Sequence, residues 1–155
     1  PFGFAFAGRN RLIVSEAFGG AVDASATSSY ILSSSGALTT VSPSVGTTET
    51  AACWVAVSKN GRYAYVTNTG SGTVSGYAIG SDGSLTLLDA DGVTGVVGPG
   101  SSPIDEDFSR DGRYLYVLGS GTDTVTAFAI DADGGLTPVD VVGGLPAAVV
   151  GLAAS

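Results

Sequence analysis

The feature that most constrains this chain is an internal repeat. Ser58 to Asp89 overlays Ser109 to Asp140 without a gap, at an offset of 51 residues, and about half of the aligned pairs are identical. The matches include Gly61/Gly112, Arg62/Arg113, Tyr63/Tyr114, Val74/Val125, Asp82/Asp133 and Leu85/Leu136. A repeat of this size marks stacked supersecondary units, none of which buries its faces alone. A weaker first copy precedes the two. It runs from Pro1-Phe-Gly-Phe-Ala-Phe6 through Leu12–Glu16 and Ser29–Leu32 to Gly36-Ala-Leu38, with extra residues in the loop Phe18–Ser28.

Each copy reads as four short strands. In the second copy they fall at Cys53–Ser58, Tyr63–Thr67, Thr73–Ile79 and Leu85–Asp89. They are rich in Val, Tyr, Thr and Ile, which suit a pleated surface. The separators Lys59-Asn60-Gly61 and Ser81-Asp82-Gly83 carry Asn-Gly and Asp-Gly, which accept the positive φ of tight hairpins. Both faces of Tyr63-Ala-Tyr-Val-Thr67 are apolar or aromatic, so this sheet is expected to be covered on both sides. Four antiparallel strands per unit of about 50 residues is the size of a β-propeller blade. The expected fold is all-β: three four-stranded blades at about 1–46, 47–98 and 99–143, all parts of one domain. Segment 144–155 is expected to be the inner strand of a closing blade, giving a partial ring.

Composition narrows the alternatives. With 13% charged and 44% hydrophobic residues, the chain does not have the makeup of a disordered one. Its 24 glycines and single lysine argue against a helical protein. The longest apolar stretch, Leu145–Ala154, is too short for a membrane helix and is broken by Pro146 and Gly151. A net charge of −8 disfavours nucleic acid and anionic membrane surfaces as partners. Cys53 is the only cysteine and there is no histidine, so neither a disulfide nor a zinc site is expected, and no cofactor or metal is assigned.

Trp54-Val-Ala-Val-Ser-Lys-Asn-Gly-Arg-Tyr-Ala-Tyr-Val-Thr-Asn68, followed by Ser71-Gly-Thr-Val-Ser75, resembles the YVTN-type propeller repeat, and Tyr65-Val-Thr-Asn68 is that tetrapeptide. Phe108-Ser-Arg-Asp-Gly-Arg-Tyr-Leu-Tyr-Val117 is similar to the family's FSPDGRYLYV signature. Ile79-Gly-Ser-Asp-Gly-Ser-Leu85 and Ile130-Asp-Ala-Asp-Gly-Gly-Leu136 resemble the lactonase branch, which includes propeller 6-phosphogluconolactonases and carboxymuconate cyclases. The resemblance implies a seven-bladed ring of which this chain supplies about three blades. The implied partners are the missing blades of the same protein or another copy of the chain.

Three adjacent carboxylates lie on the third inner strand, Pro103-Ile-Asp-Glu-Asp-Phe108. Period two sends Asp105 and Asp107 to one side and Glu106 to the other. Asp105 and Asp107 are catalytic candidates, as general base or metal ligands in a channel, weighed against lining a solvated channel or pairing with nearby Arg. By the resemblance, Asp105 stands where family lactonases often carry histidine. Glu16 resembles the glutamate of the family's V-x-N-E strand ends and is the third catalytic candidate, weighed against pairing with Arg9 or Arg11. Glu106 and Trp54 are the substrate-binding candidates, although Trp54 and Cys53 also read as inner-strand packing. Arg62 and Arg113 follow equivalent turns, which reads as structural. Asp89-Ala-Asp91-Gly and Asp131-Ala-Asp133-Gly are partial calcium-loop patterns without the downstream glutamate, and turn chemistry explains them.

Two functions stand: part of a lactonase-like hydrolase of a small sugar or carboxylate lactone, or a non-catalytic extracytoplasmic binding module. A small-molecule ligand suits either. Low lysine with abundant Ser, Thr and Gly suits a secreted or extracytoplasmic setting.

Overall fold

The computed structural model describes residues 1–154. The first sheet holds β1 (Phe4–Ala7), β2 (Arg11–Glu16), β3 (Ala26–Leu32) and β4 (Leu38–Gly46). The second holds β5 (Ala52–Val57), β6 (Tyr63–Asn68), β7 (Thr73–Ile79) and β8 (Leu85–Leu87), with a short β9 (Gly95–Val96). The third holds β10 (Pro103–Phe108), β11 (Tyr114–Gly119), β12 (Thr124–Ile130) and β13 (Leu136–Gly143). Within each sheet the strands pair antiparallel in chain order. This is the expected all-β stack of blades in a partial ring.

One strand departs from expectation. The outer strand of the second blade is split, with β8 and β9 pairing separate parts of β7. The residues between them leave the ladder for local turns, in which Asp89 accepts the Thr94 hydroxyl at 2.7 Å and Asp91 accepts the Val93 amide at 3.1 Å. The detour crosses Gly76, where a Cβ would lie 2.8 Å from both Leu88 Cδ1 and Thr94 Oγ1.

The core is two seams between sheets. Ala7 and Ile13 of the first blade meet Val55, Val66, Tyr77 and Leu85 of the second. Tyr65 and Val74 of the second meet Phe108, Leu115, Val117 and Phe128 of the third. Every residue of β6 is buried, which accounts for its two apolar faces. Each fully buried large side chain contributes roughly 1.5–3 kcal/mol. Tyrosines also hook the seams. The Tyr65 hydroxyl donates to the Gly134 carbonyl at 2.8 Å, and the Tyr77 hydroxyl to Val45 at 3.0 Å. Burial pushes both phenols above their usual range, so each keeps its donor proton.

The inner strands are tied by polar bonds. The Ser15 hydroxyl donates to the Cys53 carbonyl, and the Gly3 amide donates to Ser15 Oγ at 2.9 Å. β1 comes so close that a Cβ on Gly3 would lie 2.7 Å from the Cys53 oxygen. Asn68, the last residue of the tetrapeptide, is fully buried and donates to Thr73 Oγ1 and Ser75 Oγ at 3.2 and 2.8 Å. The Thr73 hydroxyl in turn donates to the Glu49 carboxylate.

The acidic triplet of β10 divides as period two requires, but each side faces a neighbouring inner segment. Glu106 points into the seam with the second blade, where its Oε1 accepts the Ala56 amide at 3.1 Å. Its other oxygen is buried without a partner among the described residues, and burial raises its pKa well above the usual carboxylate range. Asp105 and Asp107 point the opposite way. Asp105 Oδ2 accepts the Leu152 amide at 2.7 Å, and Asp107 Oδ2 accepts the Ala154 amide at 2.8 Å. The closing segment therefore lies beside β10, held by side chains rather than by a backbone ladder over 145–154. Its last residue, Ser155, lies outside the described residues. The outer faces of the stack are apolar: Phe4 and Phe6 are 67% and 45% exposed on one, and Val139 and Val141 are 57% and 58% exposed on the other strand edge.

Two predictions follow from these clasps. The folded-state pKa of Glu106 is raised, so its contribution is fully present below the unfolded value of about 4.3 and is lost as pH rises through the folded value. Glu106→Gln keeps the acceptor for Ala56. The urea midpoint of wild type relative to this variant is expected to fall between pH 5 and pH 8; parallel pH profiles would refute it. In Asp105→Asn/Asp107→Asn, each side chain has one acceptor oxygen where two were used. Hydrogen exchange at Leu152 and Ala154 is expected to speed up about tenfold or more while exchange in β6 stays unchanged; unchanged tail exchange would contradict the clasp.

Candidate functional site

The inner strands β1, β5 and β10 begin at one end of the stack. The chain enters β5 and β10 through left-handed residues, Ala51 (φ 61°) and Ser102 (φ 46°), which occupy the same repeat position. A left-handed non-glycine residue costs roughly 1–2 kcal/mol. The same pair of bonds offsets that cost in each copy. Thr69 and Gly70 amides donate to the Ala51 and Thr50 carbonyls, as Ser120 and Gly121 donate to Ser102 and Ser101. Phe18 (φ 46°) and Ser44 (φ 41°) are strained nearby. Such strain concentrates at functional surfaces.

Two hollows open at this end and share Phe2, Ala17 and Gly19. The first, of about 360 Å³, lies where the three blades converge and is walled by Ala51, Ala52, Cys53, Thr69 and Ile104. The second, of about 560 Å³, is walled by Pro1, Phe18, Ser44 and Glu16. Glu16 closes β2, and two hydroxyls fix its carboxylate. Ser28 donates to Oε1 at 2.8 Å and Ser44 to Oε2 at 2.6 Å. The Ser44 amide donates to Ser28 Oγ at 2.8 Å, which sets the three groups together. A carboxylate has about four lone-pair sites, so two remain for a water or ligand.

Trp54 stands at a register shift between Ala52 and Val55. Its amide leaves the ladder and donates to Thr67 Oγ1 at 3.0 Å. The indole is 43% exposed and meets Phe2 edge to face, with centroids 6.4 Å apart. Cys53 is buried, with its sulfur 3.7 Å from the Ile104 carbonyl oxygen. Burial raises its pKa, and the carboxylates of Asp105 and Glu106 add to this, so the thiol stays protonated and packs as a small apolar group.

Phe2 thus lines the hollow that Glu16 borders and also meets Trp54, while Asp105, Glu106 and Asp107 sit in the seams on either side of β10. Asp105 is 7% exposed, and its second oxygen accepts its neighbour's amide at 2.9 Å. Phe2, Ser28, Ser44 and Ile104 are the site residues that sequence reasoning missed. Ser28 and Ser44 lie in the weak first copy, where the repeat offers no aligned position.

The motifs read as structural serve turns. Asn60 accepts the Ser58 hydroxyl and the Arg62 amide, and Asp111 accepts the Ser109 hydroxyl and the Arg113 amide. The guanidinium carbons of Arg62 and Arg113 lie 5.5 and 5.7 Å from the Tyr63 and Tyr114 ring centroids. Asp82 and Asp133 accept amides two residues on. Among the described residues no group of three or more His, Cys, Asp or Glu could hold a metal ion, and no helix is long and apolar enough to cross a membrane.

The profile of the family "Lactonase, 7-bladed beta-propeller" matches residues 13–144. No curated protein matches the chain. Among solved structures, a periplasmic gluconolactonase of Pseudomonas aeruginosa superposes with a TM-score of 0.72 at 19% identity, over 96% of this chain and 44% of that one. A protein of unknown function from Desulfotomaculum acetoxidans gives 0.76 at 20% identity, over 96% and 44%. A candidate 6-phosphogluconolactonase of Bacteroides uniformis gives 0.66 at 24% identity, over 86% and 40%. The chain therefore spans about two-fifths of the length of these structures. With three antiparallel blades in chain order and a profile match over most of its length, this chain belongs to the lactonase family of seven-bladed β-propellers.

Proposed function

We propose that this chain supplies one sector of a closed propeller that binds and hydrolyses a small sugar or carboxylate lactone. Further blades, from the same protein or another copy of the chain, cover its two apolar outer faces. The observation that carries this reading is the placement of Glu16, fixed by Ser28 and Ser44, at the edge of a hollow where three inner strands begin. In this reading Glu16 is the general base. It takes a proton from water as the water oxygen bonds to the lactone carbonyl carbon. The ring C–O bond then breaks, and the released alkoxide takes up a proton. Phe2, which meets Trp54 edge to face, offers an aromatic wall to the ring's C–H face.

Asp105 and Asp107 are positioning residues in this scheme: they fix the tail beside β10. Glu106 does the same for β5 through Ala56, and so sets Cys53 and Trp54. The periplasmic gluconolactonase among the structural relatives supports an extracytoplasmic setting. The engagement of Asp105 and Asp107 by backbone amides favours a second reading, a propeller that binds a small molecule without turning it over.

Hydrolysis of glucono-δ-lactone by the protein containing this chain separates the two. Glu16→Gln is expected to lower kcat by about 10²- to 10⁴-fold with KM little changed and the circular dichroism spectrum unaltered. Absence of turnover by the folded wild type would leave the binding module as the function.

A further inference from the structure

The distribution of charge along the blades bears on which ligand this mouth accepts. All six cationic residues flank the hairpins that join first and second strands: Arg9 and Arg11, Lys59 and Arg62, Arg110 and Arg113. Arg11, Arg62 and Arg113 occupy one repeat position, and Lys59 and Arg110 another. Several are engaged there. Arg11 donates to the Gly80 carbonyl at 3.3 Å, Lys59 donates to the Arg110 carbonyl, and Arg113 pairs with Asp111 at 2.6 Å. The mouth lies at the other end of the inner strands. Strands of six residues such as β5 and β10 span roughly 20 Å. That is more than two Debye lengths of about 8 Å at physiological salt, so these cations do not reach a ligand at the mouth.

The mouth itself is apolar. The hollow between the three inner strands is walled by Phe2, Ala51, Ala52, the protonated thiol of Cys53 and Ile104. The ionisable groups on the adjoining hollow are the Glu16 carboxylate and the amino group of Pro1. A phosphate placed between the three inner strands would lose water and meet no cationic side chain on that wall, which opposes binding. An uncharged ring with an aliphatic face would fill the hollow and stack its C–H edge on Phe2, which in turn meets Trp54 edge to face.

We infer that the wall supplied by this chain selects uncharged lactones with an apolar face and rejects phosphorylated ones. This rests on the mouth being the ligand site of the reading above. Trp54 is the only tryptophan of this chain and reports through its edge-to-face contact with Phe2. The chain is titrated with δ-octalactone and with freshly prepared 6-phosphoglucono-δ-lactone while indole emission is followed. δ-Octalactone is expected to give a saturable emission change with an affinity at least tenfold greater than the phosphorylated lactone. Phe2 is 61% exposed, so Phe2→Ala is expected to keep the fold. The variant should weaken δ-octalactone binding about tenfold. Equal or tighter binding of the phosphorylated lactone would overturn the inference. So would a δ-octalactone response that does not saturate, or one that Phe2→Ala leaves unchanged, because the signal would then come from the outer apolar faces. Release of hydroxy acid is read separately, on the protein containing this chain. Binding without release removes the hydrolase reading and keeps this one, whereas turnover of the phosphorylated lactone alone does the reverse.

Discussion

Everything in this molecule depends on sheets packing face to face. No blade has a core of its own: each buries its apolar side chains only against the next sheet. The second blade shows this most fully, because β6 is enclosed on both sides and contributes to both seams. Tyr65 and Tyr77 carry the seams furthest. Each fills volume with its ring and ends in a hydroxyl bonded to a carbonyl of the adjoining blade. A purely apolar side chain would supply the first contribution without the second, and the sheets would be free to slide along one another. The outer face of the first blade, with Phe4 and Phe6, has the same apolar makeup without a neighbour.

The repeat made much of the fold legible in the sequence. Two copies with matching turns and strands fix the strand count, the order and the two-sided burial of β6, because turn residues and period-two patterns act locally. The split of β8 from β9 was not legible. It follows from Asp89 and Asp91 closing their own turns, a competition between side chain and ladder that composition does not reveal. The closing segment was expected as an inner strand, and it forms no ladder over 145–154. That its amides meet Asp105 and Asp107 rather than another backbone was not legible.

The candidate site was legible in part. Glu16 stood out as a carboxylate at a strand end, but its serine partners come from β3 and β4 and meet it only through sheet register. The acidic triplet drew attention because charge is scarce in this chain. Period two separated its members correctly, yet it does not say what lies on either side of a strand. Here both sides are neighbouring inner segments. Trp54 owes its exposure to a register shift, and such irregularities are common where a sheet must re-aim a side chain.

The bond from Lys59 to the Arg110 carbonyl has a consequence for how such rings grow. The lysine of one unit fastens onto the hairpin of its successor, and Arg110 occupies the Lys59 position in the following unit. The second and third modules therefore each carry a cation at the latch position, where the first has Gly8. A gene duplication that added a module after this one would inherit its joint ready-made, which makes lengthening by whole units mechanically easy and lengthening by fractions of a unit hard.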